Sequence, residues 1–155
     1  MKEIIKALVI IPICLFLLTG CGGDTEYTSK DKYAELNIQQ MHNDYDSNEI
    51  TAKDKYEYKY YYFTGEIDEV VEHWGDTYLE FMFHSDNPNT KTTGIELTAY
   101  FANADMLKSV AKGQTVTVYC KFKERSIENY MGTSGYSLHS CHFGDHFSET
   151  NETSE

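Results

Sequence analysis

The chain is poor in arginine, proline and tryptophan, with Arg125, two prolines and Trp74 as the full complement in 155 residues. Guanidinium forks are the usual tool for gripping phosphate in two places at once, so one arginine leaves little of that chemistry. The net charge is −12, which repels polyanions, and no segment forms a basic patch that would locally reverse the sign. The expectation is no nucleic-acid partner. No apolar run is long enough to span a bilayer either: Ala7–Leu18 covers about a dozen residues, where roughly 20 are needed. Missing too are a nucleophile–base pair with family spacing, a glycine-rich phosphate loop and a catalytic carboxylate pair. The expectation is a protein that is not an enzyme, with no catalytic residues, metal or cofactor.

What is present begins at the N-terminus. Lys2 and Lys6 precede the charge-free segment Ala7–Leu18, which ends in Leu18-Thr19-Gly20-Cys21. A positive start, a short apolar stretch and a small residue before the cut make a secretory signal peptide. Its ending resembles the lipobox of bacterial lipoproteins, in which the cysteine receives a diacylglyceryl group. On that reading residues 1–20 leave as signal, and Cys21 is the lipidation site, with a palmitate-type acyl anchor. Two acyl chains hold firmly where one holds weakly, because each buried methylene contributes about 0.8 kcal/mol. The expected location is the extracytoplasmic face of a bacterial cell membrane. Losing Lys2, Lys6 and Glu3 makes the mature charge −13 rather than −12. Twelve lysines to one arginine hint at an AT-rich genome and a Gram-positive envelope.

Residues 21–32 are small and polar and read as a tether. One domain is expected over 33–146, followed by a polar, disordered tail at 147–155. From Tyr33 to Lys55 the apolar positions have helical spacing, with a possible interruption at Asp44–Asn48. The period then changes to two. Tyr56–Val71 reads as a long strand with a bend at Thr64-Gly65, and Gly75-Asp76 turns the chain into Thr77–His84. A third strand carries Ile95, Leu97, Ala99 and Phe101 inward. Asn103 caps a short helix to Val110, and Gly113 stands where a left-handed residue is wanted. A fourth strand, Thr115–Phe122, is followed by a loop from Glu124 to Gly135 and a fifth strand at about Tyr136–Phe143. Five strands with a helix between the third and fourth describe a mainly β protein, the five-stranded OB-fold Greek-key barrel, here with an N-terminal helix.

The residues also resemble the tRNA_anti-like family. The resemblance rests on Asn48, Ala52 and Tyr56 ahead of the strands, on Phe63-Thr64-Gly65-Glu66-Ile67, on Lys112-Gly113-Gln114-Thr115-Val116-Thr117-Val118, and on Cys120 and Cys141. It extends over about residues 35–143. Ala99 stands where many members have cysteine. The family name reflects likeness to anticodon-binding domains and implies no binding of tRNA.

Cys120 and Cys141 are an even pair in an exported domain, on strands that this fold makes antiparallel neighbours. A disulfide is the favoured reading, and two buried thiols are the other. Leu138 and Cys141 are three apart, so both face inward only across a bulge. His139, Cys141 and His146 suggest zinc, but Cys141 has the competing use. Asp44–Asn48 opens like a calcium loop, yet Glu49 and Lys55 occupy positions that need glycine and glutamate. Tyr60 and Tyr62 form an outer row that either packs internally or binds a partner. OB-folds bind through the loops after strands one and four, which here hold His73 and Trp74, then Tyr130 and Met131. These four are the candidate ligand contacts. The function expected is a membrane-anchored binding module for a protein, peptide or envelope glycan; the alternatives are a structural or assembly accessory of an envelope complex and, behind it, a metal-dependent enzyme built on the C-terminal histidines.

Overall fold

The computed structural model describes residues 29–86, 93–126 and 132–144. Cys21, Tyr130, Met131 and His146 lie outside these residues, as do the signal, most of the tether and the tail. The described part is mainly β, with two helices and one seven-stranded sheet. The strands are β1 (Ala34–Glu35), β2 (Tyr60–Glu66), β3 (Glu69–His73), β4 (Asp76–His84), β5 (Gly94–Phe101), β6 (Thr115–Ser126) and β7 (Thr133–Phe143). They lie in the order β1-β2-β6-β7-β5-β4-β3. The β1–β2 and β5–β7 pairs are parallel and the others antiparallel.

The expectation of five strands is corrected to seven for two reasons. The long first strand is broken at Ile67 and Asp68, whose amides leave the ladder to donate to Gln114 O at 2.9 Å and Glu80 O at 2.8 Å. In addition, Ala34 and Glu35, expected to be helical, extend beside Tyr61 and Tyr62. The N-terminal helix accordingly begins late, as α1 (Ile38–Ser47), with α2 (Glu49–Tyr56) after it. Asn48 makes the expected break. Its extended backbone (φ −159°) ends α1, and its Oδ1 accepts from Thr51 N at 3.2 Å to cap α2. The helix expected from Asn103 to Val110 is only a 3-10 turn, Ala104–Leu107, capped by Asn103. The loop expected at Glu124–Gly135 is shorter, since β6 runs to Ser126 and β7 begins at Thr133.

Strand alternation builds the core. Leu79, Phe81, Ile95, Leu97, Ala99, Val118, Cys120, Phe122, Tyr136 and Leu138 all face inward and are buried. The helices close one side of it with Met41, Tyr45, Ala52 and Tyr56. Tyr45 lies between Tyr56 and Phe122, with ring centroids 6.1 Å from each. The two family-like segments meet in one ladder, where Phe63 faces Val118 and Gly65 faces Val116. A Cβ on Gly65 would come within 2.9 Å of the Phe81 ring and 3.0 Å of Phe83, so the close crossing of β2 over β4 requires glycine there. Gly113, at φ 84°, donates to Ile67 O at 2.8 Å and joins the two segments again.

Cys120 and Cys141 are disulfide-bonded. The bulge that their phase demands falls at Ser140. Lys121 faces His139 and Tyr119 faces His142, so β7 carries one extra residue there. The same slip occurs against β5, where Ala99 faces Leu138 and Phe101 faces Cys141. Ser140 absorbs it in the left-handed region, at φ 52°.

Candidate functional site

Two polar constellations stand out, and they differ in how completely their groups are paired. The first lies between α1 and the ends of β6 and β7. His42 is fully buried, with Nδ1 hydrogen-bonded to the Tyr136 hydroxyl at 2.9 Å. Its Nε2 lies 3.4 Å from Asp46 Oδ2, without the alignment of a hydrogen bond. That carboxylate favours the tautomer protonated on Nε2, which leaves Nδ1 to accept the phenol proton. Arg125 donates to Asp46 Oδ1 at 2.8 Å and to Ser134 Oγ at 3.0 Å. Its guanidinium also sits over the Tyr45 and Tyr136 rings, 6.0 and 5.8 Å from their centroids. Burial lowers the His42 pKa from 6.5; Asp46 opposes this and Arg125 adds to it. Burial likewise raises the Tyr136 pKa well above 10.0. Every charged group here is answered by another, and the result is a staple holding α1 to the sheet.

The second is a groove of about 610 Å3 on the other face of the sheet, over β7 and between β5 and β6. Its position follows from alternation, because Tyr100, Ser137 and His139 point away from the core that Ala99, Tyr136 and Leu138 fill. Two ladder faults flank it. One is the Ser140 bulge. The other is on β6, where Phe122 faces Leu138 but Glu124 faces Ser137, so Lys123 is the extra residue. Bulges re-aim side chains and are enriched beside binding sites. The Tyr100 and His139 rings stack with centroids 4.6 Å apart, and Tyr78 continues the row at 5.1 Å from Tyr100. Burial lowers the His139 pKa from 6.5, and the Lys123 charge lowers it further, so the imidazole is neutral at pH 7. The side chains of His139 and Ser140 have no hydrogen-bond partner among the described residues.

The β3–β4 hairpin forms one rim. Trp74 and Gly75 make its two-residue turn, both at positive φ (54° and 92°), between the paired His73 and Asp76. Asparagine is favoured in the first of these positions and tryptophan is strained there. Yet Trp74 is 93% exposed, so it gains nothing from the fold in return. Of its predicted companions, His73 lies beside it at 5.8 Å between ring centroids, while Tyr130 and Met131 lie outside the described residues. Gly75, Asp76 and Thr77 line the near end of the groove, and Lys123, Glu124 and Ser126 its far end.

The zinc reading loses its geometry. Cys141 faces inward in the disulfide, while His139 faces outward across the bulge. Among the described residues no three His, Cys, Asp or Glu side chains group to hold a metal. Tyr60 and Tyr62 are half-buried, covered by the segment before α1. Tyr33 packs edge-on against Tyr60 at 5.5 Å and Tyr119 at 5.4 Å. A second half-buried aromatic row, Tyr78–Tyr100–His139, lines the groove side of the sheet, and alternation could have flagged its two tyrosines. Its alignment with His139 depends on the parallel β5–β7 pairing, which leaves no local signature in the sequence. Among the described residues no helix is long and apolar enough to cross a membrane.

The family whose model matches the chain is described as tRNA_anti-like, and the match covers residues 1–131. No curated protein matches the chain.

Proposed function

Because the chain belongs to the tRNA_anti-like family, we propose that it is an OB-type binding module carried outside the cell on a lipid anchor at Cys21. The observation that supports a binding role is the pairing of a fully exposed, strained Trp74 with the groove beside it. An exposed tryptophan on a strained turn is an expense to the free protein, and a partner that covers it would recover the apolar burial. The barrel reading draws support from β2 and β3. They are separated in the chain only by Ile67 and Asp68, yet stand near opposite ends of the sheet order. The sheet therefore curls back toward its own start. The anchor draws support from the charge, length and small-residue pattern ahead of Cys21, and the ligand is a protein, peptide or envelope glycan.

Two measurements test this. Mass spectrometry of the mature N-terminus should find a diacylglyceryl-modified Cys21, and a mature chain beginning at any other residue would end the anchor reading. A photo-crosslinking amino acid at position 74 should capture a discrete envelope component in cells. That product should fall when Tyr100→Ala alters the groove. Crosslinks that ignore the groove variant would contradict a shared binding surface.

A further inference from the structure

We propose that the groove over β7 takes a neutral, hydroxyl-rich ligand, a short stretch of saccharide chain. The inference rests on the reading that this groove is the binding surface, and it selects among the ligand classes that reading allows. Charge removes the anionic ones. Among the described residues the one cation lining the groove, Lys123, is matched by Glu124 at 3.6 Å, and Asp76 adds a further negative charge. An anionic ligand would therefore meet no uncompensated positive group, inside a molecule that already carries −12.

Backbone geometry removes the peptides that bind as an added strand. Such peptides need a sheet edge with unpaired amides and carbonyls. The groove lies over β5, β7 and β6, and β7 has a strand on either side. Apart from the bulge at Ser140, β7 is laddered to β5 and β6, so it presents no open strand edge. What the groove chiefly offers a ligand is therefore its side chains.

Those side chains suit a sugar. Ser126 and Ser140 present hydroxyls that can donate and accept, as saccharide hydroxyls do, while Ser137 Oγ, which donates to Glu124 O at 3.5 Å, still offers an acceptor. The neutral His139 imidazole adds one donor and one acceptor. At the rim, Trp74 offers an uncovered ring face to the C–H face of a pyranose. The groove is an open trough and not a closed cavity, so a chain can lie along it from the Trp74 rim toward β6.

The full chain should be titrated separately with a linear N-acetylglucosamine tetramer, maltotetraose, a lysine tetramer and a glutamate tetramer. Trp74, the single tryptophan, reports through its own fluorescence, and His139 through its imidazole NMR signals. The expected result is a saturable blue shift and His139 shifts with at least one neutral sugar, and none with the glutamate peptide. Ser137→Leu, which fills the trough and removes a hydroxyl, should weaken that sugar by about tenfold or more. Thermal unfolding of this variant should match the parent, and Tyr100→Ala gives a second readout should it not. Perturbation by the lysine or glutamate peptide and by neither sugar would overturn the saccharide inference while leaving a binding groove in place. No perturbation by any of the four, together with no crosslink from position 74, would overturn both readings.

Discussion

Two histidines on opposite sides of the sheet show how the molecule divides its work. His42 and His139 are both kept neutral chiefly by burial. His42 is sealed under α1, with Tyr136 on one ring nitrogen and Asp46 near the other. His139 lies in an open trough, with Tyr100 stacked on it and its ring nitrogens unclaimed among the described residues. The same physical cause lowers both pKa values, yet the surroundings give the two groups different uses. Where polar groups satisfy one another, they fix the fold. Where they stand unmatched beside a strained and exposed tryptophan, they are the groups we propose to meet a ligand.

Substitutions in the elements that hold each histidine in place should separate the two sides. The largest effect is expected at the link between them, Cys120–Cys141, which pins the bulge that shapes the trough. Replacing both cysteines with serine should cost about 2–4 kcal/mol, read as a lower unfolding midpoint that reductant no longer changes. A variant as stable as the parent would mean that the disulfide is idle in the fold.

Tyr136→Phe comes next. It leaves His42 Nδ1 buried without its partner and should cost about 1–3 kcal/mol in denaturant unfolding, because the desolvation penalty is no longer offset. A cost near zero would show that the staple contributes little.

The pH dependence follows from both histidines. Each has a folded pKa below 6.5, so the unfolded chain binds more protons as the pH falls past that value. Their contribution to stability is fully present above pH 6.5 and is lost progressively below it, down to the folded pKa values. Unfolding midpoints measured from pH 8 to pH 5 should fall at the acid end, and a rise there would contradict the neutral assignment.

How much of this was legible in the sequence depends on whether the signal was local. The strand faces, the break at Asn48 and the turn at Gly113 came from single residues and short periods, because capping and alternation are local physics. The bulge was legible as well: Leu138 and Cys141 could not both face inward without one. The split at Ile67–Asp68 was hidden, since nothing in that run differs from a continuous strand until Gln114 and Glu80 draw its amides away. The staple was hidden too, because His42 and Tyr136 stand 94 residues apart. Of the site, the hairpin tip with Trp74 was found from its loop position. The trough was missed because it is assembled from β5, β6 and β7 through pairings that no one segment encodes.

The smallest expected change in stability carries the most information. Trp74→Asn places a residue suited to positive φ at the hairpin tip and removes a side chain that is 93% exposed. Its thermal unfolding midpoint, measured beside that of Tyr136→Phe, tests directly whether fold and contact surface are separate. Trp74→Asn should unfold at the parent's temperature or slightly above it, while Tyr136→Phe should unfold lower. A Trp74→Asn midpoint as low as that of Tyr136→Phe would make the tryptophan a structural residue and contradict the division of the molecule into a staple and a surface kept for binding.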